Sequence, residues 1–339
     1  MKENIRVGLV GLGRMGTMYA QHLAFAVPDA ELAALATRRV HIARDLARQC
    51  DVAAIYTDPC QLFQQESLDA VVIATPTATH KDFIMAAARA GKHIFCEKPI
   101  ALTLEETDEA LQAVREAGVV LQVGFMRRCD AGYAAAKQQI ADGVIGEPVM
   151  YKGIGRDPVP PPLDYARPEI SGGLLLDLGS HDFDLARWLM GSEVSRVCTE
   201  AGTLVFPDLK TIGDIDNAVV NLRFENGSIG NIDVSRNAVY GYDIRTEILG
   251  AEGCLQIGYL RHTPLVVMTR TRGVSHDTVP FFLERFSPAY KEQIRLFIRA
   301  ICEGTAPLAD GHDARKALEI GLAAIRSYKT GQPVELAEV

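Results

Sequence analysis

Short, almost unbroken apolar runs alternate with stretches of helical periodicity along the first third of this chain. Ile5-Arg6-Val7-Gly8-Leu9-Val10, Glu31 to Ala36, Leu68 to Ala74, Ile94-Phe95-Cys96 and Val119 to Gly124 have the length and character of strands buried on both faces. Helices are expected from the first glycines to about Ala26, from Val40 to Gln49, from His80 to Gly91 and from Thr103 to about Ala117. The last opens on a capping box, Thr103-Leu104-Glu105-Glu106, and stops at Gly118. The segment from Gln49 to Phe63 carries no clear signal. Strands and helices in this alternation predict a doubly wound parallel sheet.

Past Gly124 the rhythm changes. A helix from Ala131 to Asp142 and a strand from Glu147 to Arg156 lead to a loop stiffened by Pro158, Pro160, Pro161 and Pro162. Gly172-Gly173 then opens a helical stretch to about Met190. Strict alternation follows, with Ala218, Val220, Leu222 and Phe224 on one face and Val219, Asn221, Arg223 and Glu225 on the other. Asn226-Gly227 is a hairpin signal leading into Ser228 to Arg236, and Tyr242 to Leu249 and Gly253 to Tyr259 continue the sheet. Ala289 to Cys302 and His312 to Tyr328 read as covering helices. The expectation is a Rossmann domain over 1–124, then an α+β domain over 125–339. The second domain is built on a large, mostly antiparallel sheet. Its uncovered face, bearing Val219, is a place for subunits to meet.

Composition narrows the function classes. A chain of 339 residues with a net charge of −8 does not favour nucleic acid or anionic membrane as a partner. No apolar run approaches the roughly 18 residues of a membrane span. Met1-Lys2-Glu3-Asn4 enters a strand at once, without the pattern of a signal peptide. The seven cysteines are scattered and none forms Cys-x-x-Cys, which points to a reduced, cytoplasmic protein without a metal centre.

The candidate chemistry lies at strand ends. Gly11-Leu12-Gly13-Arg14-Met15-Gly16 is G-x-G-x-x-G between a strand and a helix, the pattern that binds a dinucleotide pyrophosphate. Arg14 and Met15 sit inside that motif. Thr37 occupies the place after the second strand where an acid usually holds the adenosine ribose, and Arg38 follows it. Thr75, Pro76 and His80 line the turn after the Leu68 strand, with His80 either a cofactor contact or a capping residue. Glu97-Lys98-Pro99 delivers a carboxylate and an amine to the carboxyl edge of the sheet. Asp177 and His181, four apart, share a helix face, where a carboxylate orients an imidazole.

Glu97-Lys98-Pro99 together with Asp177-x-x-x-His181 makes the chain resemble the Gfo/Idh/MocA oxidoreductases, over essentially its whole length. Within them it is most similar to the inositol dehydrogenases, through Gly124 to Arg128, Arg156-Asp157-Pro158, Gly172 to Asp184 and Tyr240 to Asp243. The resemblance implies a homo-oligomer, often a tetramer, and an NAD(P)-linked oxidation of a ring hydroxyl. On this reading His181 is the base, Asp177 its orienting partner and a substrate contact, and Lys98 the group on the reacting oxygen. Glu97 fixes Lys98, while Arg127, Arg156 and Tyr240 line a polyol wall. Thr37 departs from the acid of NAD-using members and opens the way to NADP as well as NAD. Leu178 departs from the hydroxyl residue of some inositol enzymes and bears on the stereoisomer taken. Two alternatives stand beside this reading: a pyranose 1-dehydrogenase forming a lactone, and a non-catalytic dinucleotide sensor.

Overall fold

The computed structural model describes residues 4–258 and 261–339, which form two compact units. Residues 1–129 with 288–318 make the first, and 130–287 with 319–339 the second. In the first unit, β1 (Ile5–Val10), α1 (Arg14–Phe25), β2 (Ala30–Ala36), α2 (Val40–Cys50) and β3 (Ala54–Tyr56) follow in sequence. After them come α3 (Pro59–Phe63), β4 (Ala70–Ile73), α4 (His80–Arg89), β5 (His93–Cys96), α5 (Leu104–Ala117) and β6 (Leu121–Val123). The six strands are all parallel, in the order β3-β2-β1-β4-β5-β6. That order reverses its direction of winding between β1 and β4, so their carboxyl ends flank a crevice.

The continuous apolar runs are buried as expected: Val7, Leu9 and Val10 of β1 and Val71, Val72 and Ile73 of β4 have no exposed surface. Each such side chain contributes about 1.5–3 kcal/mol relative to an exposed one. The stretch without a clear signal holds β3 and α3. Strand β3 is three residues at the sheet edge, half-buried along its length, so no apolar run marks it. Asp58 caps α3 through the Cys60 N–H at 2.9 Å. Thr103 caps α5 as read, its Oγ1 accepting from the Glu106 N–H at 3.1 Å, while the Glu106 carboxylate reaches one residue further back and accepts the Leu102 N–H at 3.2 Å.

In the second unit, α6 (Ala131–Ala141) precedes β7 (Pro148–Arg156) and four consecutive helices, α7 (Leu163–Ala166), α8 (Pro168–Ser171), α9 (Gly173–Asp177) and α10 (Gly179–Met190). Next are β8 (Val194–Gly202), α11 (Pro207–Thr211), β9 (Asn217–Phe224), β10 (Ile229–Ser235), β11 (Asp243–Gly250) and β12 (Cys254–Ile257). A small hairpin, β13 (Val267–Thr269) with β14 (Gly273–Ser275), stands apart from the main sheet. Two long helices complete the chain with β15 (Val334–Glu335): α12 (Phe282–Glu303), which belongs from Pro288 on to the first unit, and α13 (Gly311–Thr330), which passes from the first unit to the second at Glu319. The seven-stranded sheet has the order β12-β11-β7-β10-β9-β8-β15, antiparallel throughout except for the parallel pair β7/β10.

The expected strand Gly253 to Tyr259 is seen as Cys254–Ile257, and Tyr259 lies outside the described residues, as do Met1 to Glu3. Helix α12 begins seven residues earlier than the sequence suggested and carries Pro288 in its interior. The alternation of β9 holds, with Val219, Asn221 and Arg223 exposed and their neighbours buried.

Candidate active site

The crossing of β1 into α1 is dictated by its glycines. Gly11 has φ +89, a conformation that an L side chain adopts only with strain, and a Cβ on it would press on the Ala74 carbonyl. A Cβ on Gly16 would run into the Gly11 carbonyl oxygen, so the helix can close on the turn only if this residue is glycine. Gly13 is different. It caps α1 without any side-chain hydrogen bond, and a Cβ placed there would meet nothing within 4 Å. The open space lies at a helix N-terminus whose first turn, Arg14 to Gly16 included, holds no acid. Such an end attracts an anion.

Beside it, the loop after β2 is tied to the same turn. Thr37, only 9% exposed, accepts the Arg39 N–H at its Oγ1 at 3.2 Å. The Arg39 guanidinium donates to the Leu12 carbonyl at 2.8 Å. Arg38 remains exposed at the loop's surface.

The loops after β4 and β5 are held by His80. Its Nδ1 lies 2.7 Å from the Pro99 carbonyl and its Nε2 2.9 Å from the Thr75 carbonyl. Both ring nitrogens are therefore taken up by backbone, and the ring is 1% exposed. This geometry is that of a residue positioning two loops. Burial lowers its pKa, outweighing the two carbonyls that favour the charged ring, and Lys98 adds to the lowering. Thr75 and Pro76 continue the same turn, Thr79 Oγ1 lying 2.8 Å from both Thr75 Oγ1 and the Pro76 carbonyl.

Glu97 and Lys98 stand where the sheet hydrogen bonding runs out, the Glu97 N–H still donating to Ile73 at 3.0 Å. The Glu97 carboxylate is buried. It accepts the Lys98 N–H at 3.2 Å and the hydroxyl of Tyr19 from α1, whose oxygen in turn accepts from Gln293 Nε2 at 2.7 Å. Burial, reinforced by Glu97, pushes the Tyr19 phenol well above its ordinary range, so it stays a donor. Arg127, in a short turn after β6, is 1% exposed.

In the second unit, Asp177 closes α9 and His181 lies in the first turn of α10. The single helix expected here is interrupted at Leu178, which nonetheless keeps right-handed dihedrals and carries the His181 N–H on its carbonyl at 3.4 Å. Helix α10 sits close on β7 because Gly153 and Gly155 offer no side chain there. A Cβ on Gly155 would come 2.5 Å from Asp182 Oδ2. Asp177 accepts from the Tyr165 hydroxyl at 3.3 Å.

Arg156 and Tyr240 meet each other at the end of β7. Strand alternation puts Gly153 and Gly155 under α10 and therefore turns Arg156 to the opposite, open face of the sheet. There its guanidinium is engaged by Asp233, with Nη1 donating to Tyr240 Oη at 2.9 Å. Tyr240 donates onward to Asp243 at 2.9 Å, and Arg245 pairs with the same carboxylate. Gly155 and Gly153, one and three places before Arg156, fix that parity in the sequence.

Residues 5–125 match the family described as "Oxidoreductase family, NAD-binding Rossmann fold", and residues 133–256 the "GFO/IDH/MocA C-terminal domain". Over 336 residues the chain is 40% identical to the scyllo-inositol 2-dehydrogenase (NAD(+)) of Bacillus subtilis, covering 99% of this chain and 97% of that one. It is 39% identical over 335 residues to the myo-inositol 2-dehydrogenase of Thermotoga maritima, covering 99% of both. Among solved structures, the scyllo-inositol dehydrogenase of Lactobacillus casei with bound NAD(H) and scyllo-inositol superposes with a TM-score of 0.92 at 29% identity, over 99% of this chain and 100% of that one.

Proposed function

The chain belongs to the Gfo/Idh/MocA oxidoreductase family, and we propose that it oxidises one ring hydroxyl of an inositol to the ketone with a nicotinamide dinucleotide as acceptor. What carries this reading is a chain similar to inositol dehydrogenases from end to end that has Lys98 just past the end of β5 and, in its second unit, Asp177 and His181 one turn apart at the α9/α10 junction.

The residues present fit the dinucleotide. The space at Gly13, the uncapped start of α1 and the absence of acid in its first turn suit a pyrophosphate. When bound, the nicotinamide supplies the hydride acceptor. The rest falls to side chains. His181 accepts the hydroxyl proton, because an imidazole titrates near neutral pH. Asp177 orients that imidazole and meets a neighbouring hydroxyl. Lys98 donates to the reacting oxygen and steadies the charge that develops there. Glu97, anchored by Tyr19, fixes the backbone from which Lys98 projects.

Cofactor choice rests on the loop after β2. With Thr37 in place of an acid, nothing there repels a 2′-phosphate, and exposed Arg38 is open to a charge-assisted bond with one. The reading is NAD use with NADP accepted. The open face of the seven-stranded sheet, with Val219, Ile229 and Leu249 exposed, supports assembly into a homo-oligomer, read as a tetramer. Seven scattered cysteines, none in a Cys-x-x-Cys pair, suit a reduced, cytoplasmic setting.

The test is turnover of myo-inositol, scyllo-inositol and a panel of aldoses with each cofactor. Oxidation of an inositol at least tenfold more efficient than that of any aldose is expected; aldose preference or no turnover would defeat the reading.

A further inference from the structure

Arg236, directly after β10, has no exposed surface at all. Among the described residues, none offers the side-chain nitrogens of Arg236 a hydrogen bond. What surrounds the cation is negative charge: Nη2 lies 3.7 Å from Asp177 Oδ2 and 3.6 Å from Asp214 Oδ2. Its own N–H is fixed on the Asp216 carbonyl at 2.9 Å, so the backbone cannot carry the group elsewhere.

Asp214 is equally committed. Its Oδ1 accepts the Leu174 N–H at 2.9 Å, at the start of α9, and a Cβ on Gly173 would press on that same oxygen. Gly173 has φ +69, and the pair Gly172-Gly173 thus admits a carboxylate beneath the helix that ends in Asp177. Burial pushes the Asp214 carboxyl up against the pull of Arg236, and Asp177 pushes it further in the same direction. Two carboxylates so close are tolerable only with a cation between them.

A guanidinium taken wholly out of water is costly, and an apolar residue in its place is often no less stable. Stability alone therefore gives no reason for Arg236. We propose that Arg236 is a positioning residue of the active site, holding the Asp177 carboxylate in place from behind while Asp214 holds Arg236. This rests on the role given to Asp177 under the inositol dehydrogenase reading. Tyr165 from α7 and Asp214 from the segment before β9 also face Asp177. His181 lies one turn on in α10.

The experiment works from D214N, which removes the carboxylate that an absent Arg236 would leave buried and unpaired. Adding R236M to D214N is expected to leave the melting temperature within a few degrees of D214N. It should lower kcat on the best inositol about tenfold or more, with KM little changed. With D177N also present, the same R236M change should cost less than about twofold. In protein without substrate, carbon-13 NMR of the Asp177 carboxyl should titrate at higher pH in D214N/R236M than in D214N. Unchanged kcat, an equal loss with D177N, or an unmoved titration would each overturn the proposal. Should the double variant not fold, R236K takes its place in the same kcat comparison with D177N, against the same two outcomes. Wild-type protein that oxidises no inositol would defeat the functional reading, while the NMR titration would still decide the role of Arg236.

Discussion

Tyr19 of α1 donates its hydroxyl to the carboxylate of Glu97, the residue immediately before Lys98. Both side chains are buried, and the Tyr19 oxygen also takes the hydrogen of Gln293 Nε2. Tyr19→Phe therefore removes a bond to a charged group and leaves a buried amide without its acceptor. The expected loss is about 1.5–3 kcal/mol in urea unfolding, since bonds to charged groups fall in that range. Turnover should fall with it, because Lys98 projects from backbone that Glu97 holds. A variant with wild-type stability would show that the contact contributes nothing.

Gly13→Ala and Gly16→Ala separate folding from cofactor binding. At Gly13 a methyl meets open space and the backbone is extended, so the melting temperature should hold while dinucleotide affinity drops about tenfold or more. At Gly16 the methyl strikes the Gly11 carbonyl, and both stability and binding should fall. Calorimetric titration with the dinucleotide and thermal melting decide this; equal behaviour of the two variants would contradict it.

His181→Ala and Lys98→Ala should each lower kcat by about 10²–10⁴, the usual worth of a general base. Dinucleotide affinity should survive in the His181 variant, and fluorescence titration will measure it. Near-normal kcat in His181→Ala would mean another base.

The acid limb of stability should carry the signature of His80. Its folded pKa lies below the unfolded value of about 6.5, so the neutral ring's contribution is complete above that value. It is lost as pH falls through the folded pKa, where the unfolded chain binds the extra proton. The melting temperature should decline from about pH 7 to pH 5, and less steeply in His80→Gln. Parallel slopes for the two proteins would remove His80 from the account.

Thr37→Asp should lower kcat/KM with NADP about tenfold or more and leave NAD within a few-fold, because an acid there repels the 2′-phosphate. A wild type preferring NAD by more than about 100-fold, roughly 2.7 kcal/mol, would show that Arg38 does not read the phosphate.

What the sequence disclosed followed the reach of each signal. The glycine turn and the capping box are local and were legible in full. Strand β3 was missed because three half-buried residues at an edge carry no apolar run. His80 stayed ambiguous because one of its two carbonyls, that of Pro99, comes from another strand's loop. The face that Arg156 takes was legible from parity, because Gly153 and Gly155 alternate with it along β7. Arg236 carried none: a lone arginine after a strand gains meaning only when folding brings Asp177 and Asp214 to it.

The bond from Arg39 to the Leu12 carbonyl joins the loop that would meet the adenosine to the turn that would meet the phosphates. The two halves of the cradle are thereby a single preorganised clasp before any ligand arrives. Part of the ordering entropy that a looser site would lose on association is already spent in folding. Cutting that tie with Arg39→Ala would return the loss to the binding step, felt at both ends of the dinucleotide at once.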